Sequence, residues 1–151
     1  MRIRTATVAD ANILTEFNCR LAQETENKTL DASVVLSGVQ RGLQQGDEVS
    51  YFVAEVDGDV IGQLLLTREW SDWRDGWMYW LQSVYVHADF RGQGVLRKLV
   101  EHVKQILRDR GDVSLLRLYV EEENEAAIAT YSRLGFVDPS YRVMEFTLDD
   151  E

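Results

Sequence analysis

Strand-like and helix-like runs alternate along the chain in a pattern that predicts an α/β fold (α+β in some schemes). The expected form is a single domain, residues 1–151, with a mixed, strongly twisted sheet of about 6–7 strands and four helices. Three observations carry that prediction. Residues 50–86 read as three alternating apolar runs joined by turn signals, an antiparallel meander. A long segment of helical period then links the last of these runs to a further alternating run, and a helical crossover makes two such strands parallel. The length, 151 residues, suits one core that buries about two thirds of the unfolded surface, and the sequence shows neither linker nor internal repeat.

Taken in order, Ile3 to Ala6 reads as a short strand. Asp10 is a fair N-cap for a helix that places Ile13, Leu14, Phe17 and Leu21 on one face. Gln23 to Thr29, QETENKT, reads as a loop or helix break, after which Asp31 or Ser33 caps a second helix ending near Gly46. Ser50 to Val56 alternates as a strand, Asp57-Gly58 is a hairpin turn signal, and Val60 to Trp70 is the return strand. The turn-rich EWSDWRDG of Glu69 to Gly76 leads into a long strand, Trp77 to Val86. Beyond it Val95, Leu96, Leu99, Val100, Val103, Ile106 and Leu107 follow helical spacing up to Gly111. Ser114 to Glu121 alternates as a strand, Asn124 caps a helix running through Leu134, and Gly135 ends it. Phe136 to Asp138 and Tyr141 to Leu148 read as closing strands split by Pro139-Ser140, with Asp149, Asp150 and Glu151 as a loose tail.

Between the long strand and the long helix lies Arg91-Gly92-Gln93-Gly94. Two glycines at a strand-to-helix turn leave the first helical N–H groups unscreened, and these together with the positive end of the helix dipole favour an anion such as phosphate. Arg91, Arg97 and Lys98 make the neighbourhood basic within a chain whose net charge is -10. That overall acidity argues against a general affinity for nucleic acid or for an anionic membrane. It permits a cationic substrate and otherwise serves solubility. Cys19 is the only cysteine, so no intrachain disulfide forms, and His87 and His102 make no zinc pattern; no metal is expected. The N-terminus lacks a signal-peptide run and no stretch approaches the ~20 apolar residues of a membrane span, which places the protein in the cytoplasm.

Two familiar glycine motifs fail. A dinucleotide fingerprint requires glycine where Arg97 stands, and a P-loop requires Gly-Lys-Ser/Thr where the chain has Gly94-Val95-Leu96. Alone, the turn would be structural. Further along, however, Asn124 to Phe136 reads NEAAIATYSRLGF. The two segments together, in this order and in this setting of strands and helices, resemble the GNAT-type N-acetyltransferase superfamily. Its R/Q-x-x-G-x-G/A loop matches Arg91 to Leu96, and its N-x-x-A-x-x-x-Y…G-F helix matches Asn124 to Phe136. Leu96 departs from the loop's last small residue.

The resemblance implies acetyl-CoA as co-substrate. It puts the amides of Arg91, Gly92, Gln93, Gly94, Val95 and Leu96 around the pyrophosphate, where the bare sequence already favoured an anion. It also lays the pantetheine arm along Val84 to Val86, with Asn124 on the other side. Asn124 is equally explained as a helix cap, and both roles are compatible. The implied reaction is direct transfer of acetyl to a primary amine of a small molecule or peptide. A non-catalytic acyl-CoA-binding sensor is the alternative.

By the same resemblance Tyr131 is the general acid: the departing thiolate has a conjugate pKa near 8.5, and a phenol of pKa about 10 can protonate sulfur as charge builds. Its helical spacing with Ala127, Ile128 and Leu134 also suits an ordinary core tyrosine. A base is needed because an amine of pKa near 10.4 is only about one part in a few thousand neutral at pH 7. The strand Trp77 to Val86 carries no carboxylate, and Tyr119 stands five residues before Asn124 where relatives often carry glutamate. Glu121, Glu24, Glu26 and Glu69 are the base candidates, each also explained as a solvated surface carboxylate. Trp70, Trp73, Trp77 and Trp80 gather around Asp72 and Asp75, a composition that suits a cationic amine as well as core or dimer contacts. The acceptor pocket is therefore expected from Glu26, Trp70, Asp72, Trp73 and Gln82. The exposed aromatics and closing strands also permit a homodimer.

Overall fold

The structure, a computed structural model, describes residues 1–149; Asp150 and Glu151, expected as part of a loose tail, lie outside the described residues. The chain divides into two compact units, Met1–Tyr119 and a second beginning at Val120. The first contains β1 (Arg2–Thr5), α1 (Ala11–Glu26), α2 (Ala32–Gly42), β2 (Val49–Val56), β3 (Asp59–Ser71), β4 (Gly76–Val86), α3 (Val95–Arg110) and β5 (Val113–Leu118). The second contains α4 (Glu125–Arg133). The fold class, α/β with a mixed sheet and four helices, is the one the sequence predicts.

The sheet has the order β1-β2-β3-β4-β5. Its first three pairings are antiparallel and β4–β5 is parallel, as a helical crossover requires. Successive strand residues face opposite sides, and β2 shows where each side leads. Tyr51 and Val53 join Ala6, Ala11, Leu14 and Val39 in a cluster under α1 and α2. Phe52, between them, meets His102 of α3 edge-on at 5.8 Å. The apolar stripe of α3, Val95, Leu99, Val100, Val103 and Leu107, is buried throughout, each full burial contributing about 1.5–3 kcal/mol.

Four local readings are corrected. The polar run expected as a loop over Gln23 to Thr29 is helix as far as Glu26, because Gln and Glu are good helix formers; Asn27, left-handed at φ 52°, ends α1. The second helix stops at Gly42, short of Gly46, and it is Asp31 whose carboxylate caps it, accepting from the Ser33 and Val34 N–H groups. Among the described residues the sheet has five strands rather than six or seven, since no strand forms over residues 136–148. Asp138 accepts from the Ser140 N–H at 2.7 Å in a tight turn at Pro139. Beyond that turn Val143, Met144, Phe146 and Leu148 are exposed. Alternation supplies an apolar face, but a strand also needs a partner for its backbone groups. Asp10 likewise does not cap α1 with its side chain. It is buried and receives the Arg4 guanidinium through two bonds of 2.8 and 2.9 Å together with the Thr7 N–H at 2.8 Å.

Candidate active site

Two features of the sheet set the end of β4 apart from its beginning. Pairing with β5 ends at Leu81↔Leu118, while β4 continues to Val86. Against β3, Leu65 pairs with Gln82 and Gln63 with Tyr85, so Leu64 alone faces both Ser83 and Val84. This is a β-bulge, with Ser83 in the left-handed region at φ 50°. Past the bulge the ladder phase decides where backbone groups point. His87 N–H donates to the Ile61 carbonyl at 2.8 Å, and bonded and non-bonded pairs alternate in an antiparallel ladder. Val86, paired with Gly62, therefore turns its N–H and C=O away from β3, toward the side that β5 has left.

The glycine turn follows directly. A short 3-10 turn, Ala88–Phe90, leads to Arg91 in extended conformation, then Gly92 and Gly94 at φ 74° and 81°, with Gly94 as N-cap of α3. A Cβ at either glycine would meet nothing within 4 Å, so the space over the helix start is open. The first helical bond runs from the Lys98 N–H to the Gly94 carbonyl, which leaves the N–H groups of Val95, Leu96 and Arg97 outside the helical ladder. No acidic residue stands in the first turn. Val95 is buried and Leu96 half-buried.

Arg91 is differently employed than its sequence position suggests. Its Nε donates to the Val86 carbonyl at 2.8 Å, its Nη2 to Glu24 Oε1 at 2.7 Å, and its guanidinium lies 5.2 Å from the Tyr85 ring centre. Tyr85 O–H donates to the other Glu24 oxygen at 2.5 Å. The result ties the last turn of α1 to the end of β4. The Tyr85 hydroxyl and the Arg91 guanidinium hold the Glu24 carboxyl below the usual carboxylate range, which makes it a reluctant base. The positive charge left at the exposed start of α3 belongs to Arg97 and Lys98.

The remaining base candidates have partners of their own. Glu26 is on the final turn of α1, 3.9 Å from the Lys28 ammonium. Glu69 accepts from Trp80 Nε1 at 3.1 Å and lies 3.7 Å from Arg117 Nη1; Tyr119 stacks on Trp80 at 4.5 Å between ring centres. The strand expected to reach Glu121 ends at Leu118, so alternation no longer sets its facing; the Glu121 carbonyl instead accepts the Asn124 N–H at 3.0 Å. Of the expected acceptor residues, Gln82 is next to the bulge and donates to Thr67 Oγ1 at 2.6 Å. Trp70, Asp72 and Trp73 lie at the β3–β4 hairpin tip, where Trp70 meets Trp77 edge-on and Trp73 is 91% exposed. Strand rise separates Trp77 from Gln82 by about 17 Å, so the structure does not bring the tip and the bulge together.

In the second unit, Asn124 Oδ1 caps α4 by accepting the Ala127 N–H at 3.2 Å. Tyr131 lies edge-on to Phe136 at 5.6 Å, and burial pushes its phenol up to about 12, so the group stays protonated at any physiological pH. Sequence reading missed the bulge and its buried neighbour Gln63, whose one available signal is an amide inside the apolar run VIGQLLL. Among the described residues no cluster of three His, Cys, Asp or Glu side chains is placed to hold a metal, and no helix is long and apolar enough to cross a membrane.

Known proteins resemble this chain in sequence and fold. A family model described as the Acetyltransferase (GNAT) family matches residues 15–136. An uncharacterized N-acetyltransferase of Methanocaldococcus jannaschii is 33% identical over 95 residues, 62% of this chain, and the chain spans only 42% of that protein's length. The L-amino acid N-acyltransferase MnaT of Escherichia coli K12 is 31% identical over 144 residues, covering 91% of this chain and 80% of MnaT. The crystal structure of "a possible acetyltransferase" from Clostridium difficile 630 superposes with a TM-score of 0.93 at 38% identity, covering 99% of this chain and 98% of that one. With the family model covering residues 15–136 and these relatives in agreement, the chain belongs to the GNAT family of acetyltransferases.

Proposed function

We propose that residues 1–151 act as a single N-acetyltransferase domain that moves acetyl from acetyl-CoA to a primary amine of a small molecule or peptide by direct attack. The observation that carries this is the continuous path along β4. The strand bulges at Ser83, loses β5 beyond Leu81, turns Val86 toward the gap and ends in a glycine turn open over the start of α3. An extended pantetheine has the reach and the amides to add to such a strand, as peptides add to sheet edges. The pyrophosphate suits the N–H groups of Gly92 to Leu96, with Arg97 and Lys98 neutralising its charge.

Acetyl-CoA supplies an activated thioester. The Val86 N–H is aimed to stabilise developing charge on the acyl oxygen, which such groups do best when preorganised. Tyr131 donates its proton to sulfur as the C–S bond breaks and the new N–C bond forms. The amine proton leaves through water toward Glu26, Glu69 or Glu121, with Glu24 the poorest of the four because Arg91 and Tyr85 already hold its carboxylate. The name of the E. coli relative, an L-amino acid N-acyltransferase, supports an amine acceptor. We further assign the chain to the cytoplasm, on its single cysteine, and to a homodimer, on the large exposed side chains Trp73, Val143, Met144, Phe146 and Leu148. Sedimentation at micromolar concentration tests the dimer, and a monomer there removes it.

Acetyl-CoA at 100 times its dissociation constant should stabilise the protein by about 2.7 kcal/mol, and an added amine should then release CoA thiol. Stabilisation without amine-dependent release would instead support a non-catalytic acyl-CoA sensor.

A further inference from the structure

Gln63 is fully buried in β3, flanked by Gly62 and Leu64 that are buried as well. An amide in such surroundings loses its hydration and must find partners within the protein. It finds half of them. Nε2 donates to the Ser83 carbonyl at 2.9 Å, while Oε1 has no partner among the described residues. The orientation is fixed by chemistry, since the reversed amide would set its oxygen against the carbonyl oxygen of Ser83. An apolar side chain here would leave no orphan acceptor, so what the amide donates to is the informative contact.

That contact is at the bulge. Two residues of β4 oppose one of β3 at Leu64, Ser83 takes a left-handed backbone that serine seldom adopts, and the irregularity disrupts the local ladder. Gln63 gives the Ser83 carbonyl a donor from a side chain. The residue before it fixes the other half of the path. A Cβ on Gly62 would lie 3.1 Å from Val95 Cγ1 and 3.4 Å from Leu99 Cδ1, so β3 seats the first turn of α3 directly against its backbone. Adjacent residues of one strand thus set the start of α3 on one face and the kink of β4 on the other.

We propose that Gln63 is a positioning residue for acyl transfer: its bond to the Ser83 carbonyl holds the bulge that aims the Val84 to Val86 backbone at the acyl donor. The role rests on the acetyl-CoA reading above, and it acts through the backbone, without contact between Gln63 and the reacting atoms.

The test replaces the donor with an apolar side chain, Gln63→Met, with Gln63→Leu as a second variant should one fail to fold. Amide hydrogen exchange in the ligand-free protein should quicken at residues 83–86 while α3 keeps its protection. With acetyl-CoA and an accepted amine, kcat per folded molecule should fall about 10- to 100-fold, the scale expected of a misplaced reacting geometry, with KM for acetyl-CoA changing by less. Val103→Ala, a buried change about two helical turns beyond Val95 in α3, controls for lost stability and should leave kcat within twofold. Unchanged exchange at residues 83–86, or a kcat within twofold of wild type in the Gln63 variants, overturns the proposal. Stabilisation of the wild type by acetyl-CoA is measured first. Its absence would remove the acetyl-CoA reading, while the exchange experiment would still decide whether Gln63 holds the bulge.

Discussion

Gly94→Ala separates the cost of folding the glycine turn from the cost of losing its ligand. Gly94 has φ 81°, where an L-residue is strained by roughly 1–2 kcal/mol, and its Cβ would clash with nothing in the protein itself. The melting temperature should therefore fall by only about 2–8 °C, at about 2–4 °C per kcal/mol for a chain of this size. In the liganded protein the same methyl enters the space assigned to the pyrophosphate. Losing one charge-assisted hydrogen bond there, about 2 kcal/mol, raises the dissociation constant roughly 30-fold. At a concentration 100 times the wild-type constant, stabilisation by acetyl-CoA should then shrink from about 2.7 to about 0.9 kcal/mol. Paired thermal melts of both proteins, with and without acetyl-CoA, measure the two effects independently. A variant with lowered basal stability but full stabilisation by acetyl-CoA would refute the assignment of the phosphate to this turn.

Three further outcomes follow from the same geometry. Tyr131→Phe should lower kcat by about 100-fold at saturating acetyl-CoA, in line with loss of a general acid. In the wild type, a phenol pushed up to about 12 gives no alkaline loss of rate below about pH 10, so a fall between pH 8 and 10 would point to another acid. Trp73→Ala and Asp72→Ala should leave the acceptor KM within twofold, since the hairpin tip is about 17 Å of strand from Gln82, and a large rise in KM would return the tip to the acceptor site. Asp10 is held below its ordinary value chiefly by the Arg4 guanidinium, against the opposing effect of burial. Its contribution is thus complete above the unfolded carboxyl value of about 3.9 and is lost as pH falls through the lower folded value. Asp10→Asn should cost about 2 kcal/mol at pH 7, less than a fully buried pair because Arg4 keeps Glu55, and should flatten the acid limb of urea midpoints measured from pH 3 to 7.

The parts of the fold readable from sequence are those where local chemistry and tertiary need coincide. The stripe of α3 from Val95 to Leu107, the Asp57-Gly58 hairpin and the glycine turn each carry a signal in the residue types themselves. The helical crossover then fixed which two strands run parallel. The bulge has no such signal: its left-handed residue is Ser83, with neither glycine nor proline to mark it, and its register comes from pairing with β3. Arg91 reads in the sequence as part of the turn's local basic charge, and the Glu24 carboxylate that takes its guanidinium is distant along the chain. Residues 141–148 alternate as a strand would, but a pattern of side chains names a face and not the backbone that pairs with it. The tryptophans around Asp72 place the acceptor expectation at the hairpin tip by composition. The direction of β4, running from that tip toward the glycine turn, was already implicit in the predicted order of strands.

The central claim is acetyl transfer to an amine, and a thiol-release screen tests it most directly. Purified protein with acetyl-CoA would be exposed to polyamines, amino acids, aminoglycosides and peptides, with the product mass checked for each hit. Acetyl transfer predicts CoA thiol released in proportion to one N-acetylated product, abolished by omitting the amine and reduced about 100-fold by Tyr131→Phe. Tight binding of acetyl-CoA with no thiol released beyond the amine-free rate, across the whole panel, would contradict it.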